Sequence, residues 1–252
     1  MAENDKRYHL IDGIRGATVI SMVLYHFFYD FFVVYGGEPR WYAGPAVHFW
    51  QQTICWSFIL ISGFVWPWGR KKNLRRGVVL NLLGLGVTVV TRLFMPEQTV
   101  RFGILNFLGC AVLLMYLLEK PARRLPPVPG LVLSFALFLL TLHINEGYIG
   151  FRALLSIDLP SALYEVKLLT PLGFPFRGFQ SGDFFPILPW LLLYLTGYHL
   201  GRVFERCREL HGAARINIPV LSYVGRRTLW VYLLHQPLCV LACCIILRRP
   251  LF

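Results

Sequence analysis

A histidine and a carboxylate four residues apart on one helix face make a general base with an orienting partner, and the first apolar run of this chain carries such a pair. His26 and Asp30 stand in IDGIRGATVISMVLYHFFYD, preceded by Asp12 and Arg15. At about 100° per residue, Asp12, Arg15, His26 and Asp30 share a stripe about 60° wide. Gly16 falls beside it, where a missing side chain lets a partner helix come close. Arg15 and His26 lie roughly 16 Å apart along the axis, so one polar seam runs from one end of the helix into its other half. At i,i+4 the Asp30 carboxylate can touch the His26 ring, fix its tautomer and raise its basicity. The bland alternatives are an interhelical hydrogen bond for His26 and Asp30, and an i,i+3 ion pair of Asp12 and Arg15 that snorkels to the surface.

The surrounding chain explains why these charges stand out. Of 252 residues, 56% are apolar and 15% charged, which excludes a disordered chain, a coiled coil and a collagen-like fibre. The apolar residues gather in seven runs of bilayer-spanning length: 10–35, 45–68, 74–95, 102–118, 129–145, 184–204 and 228–247. The reading is an all-α, polytopic helical membrane protein with about seven transmembrane helices, forming a single domain over 1–252. Charges inside such helices are costly and are functional candidates by default. The net charge of +12 belongs mostly to short loops, which favours orientation in the bilayer over nucleic-acid binding. With the N-terminus cytoplasmic, sixteen Lys and Arg lie inside and eight outside, Arg15 apart, so the C-terminus is expected outside. The start, MAENDKRYHL, shows no cleavage-site pattern. The six cysteines form no CxxC pair and read as small packing residues.

Further polar residues fall toward the expected outer half. His48 lies in the first turn of the second run, His143 ends the fifth, and Asp183 opens the sixth. His235 sits within the seventh, in LLHQP, where Pro237 disturbs the helix. Each of these histidines has an ordinary packing explanation; their convergence would line a substrate cavity. Their spacing matches no zinc-protease signature, so no metal is expected. Residues 146–183 are apolar but broken by Asp158, Pro160, Glu165, Lys167 and Pro171, which suggests an irregular extracytoplasmic segment between helices 5 and 6, interfacial or re-entrant. No internal repeat is visible, which weakens the case for an inverted-repeat carrier. Walker, GxGxxG and GxSxG patterns are absent.

RYHLIDGIRGATVISMVLYHFFYDFF, FILISGF, RFGILNFLG and DFFPILPWLLLYLTGYHLG, in that order, resemble the bacterial membrane proteins related to heparan-alpha-glucosaminide N-acetyltransferase. YLLHQP at 232–237 resembles a final-helix motif of several membrane acyltransferase families, and Arg15-x10-His26 resembles the R-x10-H motif of a wider group. The resemblance implies a membrane acyltransferase of the bacterial cytoplasmic membrane. It would move an acetyl or similar group from cytoplasmic acetyl-CoA or another acyl-CoA to an amine or hydroxyl of a saccharide or envelope glycan. It implies that Arg15, beside Asp12, engages the donor and that His26 acts in acyl transfer, with Asp30 orienting it. His235 or Asn106 is then placed to stabilise the oxyanion, Asn106 standing where many relatives have histidine. His48, Asn106, His143 and Asp183 are expected to line the substrate site. Homo-oligomers remain open. A transporter or flippase for a small anion or lipid is the alternative, since it too would use a polar seam.

Overall fold

The computed structural model describes residues 8–36 and 39–248; the charges counted at Lys6, Arg7 and Arg249 lie outside the described residues. In chain order the helices are α1 (His9–Tyr29), α2 (Pro45–Phe64), α3 (Trp66–Phe94), α4 (Ile104–Arg124), α5 (Pro127–Thr141), α6 (Ile187–Arg206), α7 (Glu209–Ala214), α8 (Pro219–Arg226) and α9 (Thr228–Leu247). A π-helical stretch, Asp30–Val34, extends α1. A hairpin of β1 (Tyr148–Phe151) and β2 (Leu155–Asp158) lies between α5 and α6. The chain forms two compact units, one of residues up to Ile61 together with those from Cys207 onward, the other Ser62–Arg206.

Among the described residues, five helices are long and apolar enough to cross a bilayer: His9–Val34, Trp66–Phe94, Ile104–Arg124, Pro127–Glu146 and Thr228–Leu247. Their burial pattern is that of a membrane protein. Leu82, Leu85, Val89 and Leu93 of α3 and Leu238 and Ile245 of α9 face outward, whereas Asp30, Asn106, Glu119 and His235 are buried. The second and sixth expected crossings form helices, α2 and α6, of 20 residues each. Neither is among the five, because α2 carries His48, Gln51 and Gln52 and α6 carries His199, Arg202, Glu205 and Arg206.

Several boundaries differ from the sequence reading for identifiable reasons. Residues 69–73, expected as a loop carrying Arg70, Lys71 and Lys72, are helical, because α3 starts at Trp66 with Pro67 in its first turn. Proline is tolerated there and lysine and arginine are good helix formers. At 29 residues the helix is longer than the hydrocarbon core requires, so its basic turns extend past the apolar part. The fourth helix continues to Arg124 beyond the expected end at Leu118; Glu119 is held there by Arg70 at 3.0 Å and Arg123 at 3.6 Å. The loop expected between the last two crossings folds into α7 and α8. The all-α expectation also missed the hairpin, in which Tyr148 pairs with Asp158 and Phe151 with Leu155. Gly150 has φ +96°, and a Cβ there would meet the Leu155 carbonyl oxygen at 2.3 Å, so only glycine fits.

In the first unit α1 packs against α8 and α9. Val19, Met22 and Ile54 form its apolar core with Trp50 against them, and the Trp50 Nε1–H donates to Ser21 Oγ at 2.8 Å. The α1–α8 crossing is a backbone-to-backbone contact. A Cβ on Gly16 would lie 2.0 Å from the Leu221 carbonyl oxygen, and one on Gly225 would lie 1.8 Å from that of Asp12. The small residue on the polar stripe does what the sequence suggested, and α8 is its partner. Gly16→Leu should therefore lower the thermal stability of the detergent-solubilised protein by the equivalent of about 1–3 kcal/mol, the scale of overpacking. Ala17→Leu, one residue on and exposed, should change it little. Equal melting temperatures for the two variants would contradict the crossing.

Candidate active site

The first unit gathers most of the expected residues along α1 and the elements packed on it. At the start of α1 the Arg15 guanidinium lies 3.2 Å from the Asp12 carboxylate, as the i,i+3 spacing foretold. Asp12 is buried and its main chain lies under Gly225 of α8. Arg15 keeps part of its side chain accessible, 21%. The Asp12–Arg15 pair is thus fixed by the packing of α8 on α1, with the Arg15 side chain partly accessible.

Farther along, α1 and α9 form a seam. Cys239 Sγ approaches the Val23 carbonyl oxygen at 3.7 Å and Cys243 Sγ that of Phe27 at 3.9 Å, the close packing that small cysteine side chains allow. The numbers rise together on both helices, so α1 and α9 run parallel. On the same two helices the His26 and His235 rings meet edge to face, with centroids 4.7 Å apart.

The tautomer of His235 follows from its neighbours. Its Nδ1 is hydrogen-bonded to the Tyr232 carbonyl oxygen. A carbonyl only accepts, so Nδ1 carries the proton and the neutral ring presents a lone pair at Nε2. That Nε2 is buried and has no hydrogen-bond partner. A buried acceptor left unpaired is costly, and it marks a place where a ligand's donor would be welcome.

Asp30 departs from the sequence expectation. It is 0% exposed, and its two oxygens accept from the Gln236 side-chain amide at 3.1 and 3.2 Å. His26 and Asp30 share a helix face, yet they are not hydrogen-bonded: α9 supplies the donor to Asp30 and the ring neighbour to His26. The Gln236 amide nitrogen must face the carboxylate, because its oxygen would be repelled there, and Gln236 Oε1 is left buried and unpartnered. Asp30 also begins the π-helical stretch, where the Tyr35 N–H bonds to the Asp30 carbonyl and the polar stripe of α1 ends. Gln236 was missed by sequence reasoning, although it stands next to His235 in the LLHQP motif.

The other candidates are placed differently. His48 is exposed in the first turn of α2. In the second unit, Asn106 is buried and donates to the Asn81 carbonyl at 3.3 Å. Asp183 accepts the Ile104 N–H at 3.0 Å and so caps the start of α4; desolvation pushes its carboxyl up to about 6, with that N–H partly opposing the rise. His143 pairs with Glu146 at 3.1 Å and stacks on Tyr148. Each of these three has a local structural partner. His199, overlooked in the sequence, is buried against Gly130 with its Nδ1 unpartnered. Among the described residues no three His, Cys, Asp or Glu side chains gather as a metal ion would need.

A family model described as heparan-alpha-glucosaminide N-acetyltransferase, catalytic, matches residues 7–237. The chain belongs to this family. The matched stretch begins just before the polar stripe of α1, ends just after Gln236, and runs through both compact units. Membership makes it a membrane acetyltransferase-type protein. Comparison with curated proteins and with solved structures finds no match.

The Asp30–Gln236 bond makes a direct prediction. Gln236→Leu strands a buried carboxylate and should cost about 1–3 kcal/mol of stability. The double variant Asp30→Leu/Gln236→Leu should recover most of that loss, because both polar partners are gone. Thermal melts in one detergent compare the three proteins; a neutral Gln236→Leu would show that the bond does not hold the seam.

Proposed function

We propose that this protein takes an acetyl or similar acyl group from cytoplasmic acyl-CoA and delivers it to an amine or hydroxyl of a saccharide or envelope glycan. The N-terminus faces the cytoplasm, the acceptor approaches from the outer side of a bacterial cytoplasmic membrane, and α2 and α6 complete seven crossings. The observation that carries the reading is His235: a buried imidazole with one nitrogen tied to a backbone carbonyl and the other unpartnered, beside His26 on a helix whose far end presents Arg15.

Each residue has a physical task. Arg15, steadied by Asp12, grips donor phosphate oxygens through charge-assisted hydrogen bonds. The pantetheine arm of the donor then runs along the α1–α9 seam toward the two histidines. The acceptor nitrogen or oxygen attacks the thioester carbonyl as His235 Nε2 takes its proton. The new C–N or C–O bond forms, the C–S bond breaks, and the CoA thiolate leaves with a proton from the imidazolium. His26, across from His235, donates to the developing oxyanion. Asp30 and Gln236 hold the seam in register rather than orienting His26, and His48 contacts the acceptor. Asn106, His143 and Asp183 take no part in this step.

Purified protein supplied with labelled acetyl-CoA and a mixed glycan fraction should release CoA in an acceptor-dependent way. Arg15→Lys should raise the donor KM about tenfold or more, the value of a charged hydrogen bond, with acceptor dependence little changed, because lysine lacks the planar fork. Uptake of a small anion or lipid into vesicles without CoA turnover would replace the proposal with transport. Unaltered donor dependence in Arg15→Lys would leave the Asp12–Arg15 pair a snorkelling ion pair.

A further inference from the structure

The segment joining the last two long helices was expected to be a charged loop, and its charge alone suits the orientation rule for membrane proteins. Its apolar residues do not. Ile216, Val220 and Tyr223 are 58%, 71% and 53% exposed, and Trp230 in the first turn of α9 is 67% exposed. Among them stand Arg215, Arg226 and Arg227, all exposed. None of the three forms an ion pair with a carboxylate among the described residues. Arg227 lies flat over the Tyr223 ring at 3.8 Å, an arrangement that leaves guanidinium edges available to oxygen acceptors.

The position of this surface is set by its neighbours. Its inner face is spent on α1: Ser222 and Gly225 are buried, and Ser222 Oγ donates to the His9 carbonyl oxygen at 3.2 Å. The first turns of α1 lie beneath α8, and α9 begins at Thr228, directly after Arg227. Both are helices long and apolar enough to cross the bilayer, and α8 sits where both begin. A short helix at that level, with apolar and aromatic side chains interleaved with arginines on its free face, has the make-up of an interfacial amphipathic element.

We propose that the outer face of α8, with Arg215, Arg226 and Arg227, is a binding site for anionic phospholipid headgroups. Ile216, Val220 and Trp230 enter the acyl boundary while the guanidinium groups take phosphate oxygens. Charge complementarity selects this occupant, since a neutral surface would leave three unpaired arginines without counter-charge. Because the main chain of α8 presses on Gly16 and Asp12, the lipid that seats α8 also seats the turn that bears Arg15. The inference stands apart from acyl transfer and is tested without it.

The intact protein, purified in a neutral detergent, is titrated with dioleoyl phosphatidylglycerol, dioleoyl phosphatidylcholine or inorganic phosphate, with bound lipid read by native mass spectrometry and stability by thermal melt. Phosphatidylglycerol should bind and raise the melting temperature, with phosphatidylcholine and phosphate having much smaller effects. Arg215→Gln/Arg226→Gln should weaken phosphatidylglycerol binding by about 25-fold, about fivefold for each basic residue near an anionic headgroup. Arg215→Lys/Arg226→Lys should retain most of it, which separates lost charge from a damaged fold. Equal binding of the two phospholipids, equal protection by phosphate, or an unchanged phosphatidylglycerol affinity in the glutamine variant would each overturn the proposal.

Discussion

A carboxylate with no exposed surface inside an apolar crossing must find a hydrogen-bond donor in the protein, because the bilayer offers none. Asp30 finds it in the Gln236 amide of α9, and that requirement organises the first unit. Satisfying Asp30 brings the parallel helices α1 and α9 into register. The same register sets the His26 ring against the His235 ring and the Cys239 and Cys243 side chains against the main chain of α1. At the other end α1 is pinned by the Gly16–Gly225 crossing to α8. The helix carrying Arg15 and His26 is therefore fixed at both ends, and the roughly 16 Å between them becomes a defined span.

The arrangement separates two kinds of polar residue. Asn106, Asp183 and His143 each have a partner within a few residues or on an adjacent element, and all three are explained by folding. His235 is not: its Nδ1 is satisfied and its Nε2 is left with nothing to bond. In the proposed reaction an N–H or O–H of the acceptor completes it. His235 therefore takes the proton-accepting role in that reaction and His26 a supporting one.

Much of this was legible from the chain. Helical spacing alone placed Asp12, Arg15, Gly16, His26 and Asp30 on one face, and the structure uses that face for the ion pair, the close crossing and the seam. Periodicity could not say which residue bonds to which, because i,i+4 places two side chains within reach without excluding a better donor from another helix. So the His26–Asp30 pair gave way to Gln236, an uncharged residue that drew no attention beside a histidine and a proline. Charge alone marks residues 69–73 as chain outside the membrane and so as a loop, although lysine and arginine continue a helix well past the bilayer surface. The hairpin is hidden by its length: four residues per strand give too little alternation to detect.

The central claim is that His235 Nε2, held in one tautomer by the Tyr232 carbonyl, accepts the proton of the acyl acceptor. Single-turnover acetyl transfer by His235→Ala, with donor affinity measured separately, addresses it most directly. The account predicts a rate lower by about 10²-fold or more, the usual effect of removing a general base, with donor affinity intact. A His235→Ala protein that folds, binds the donor and transfers the acyl group at the wild-type rate would contradict it.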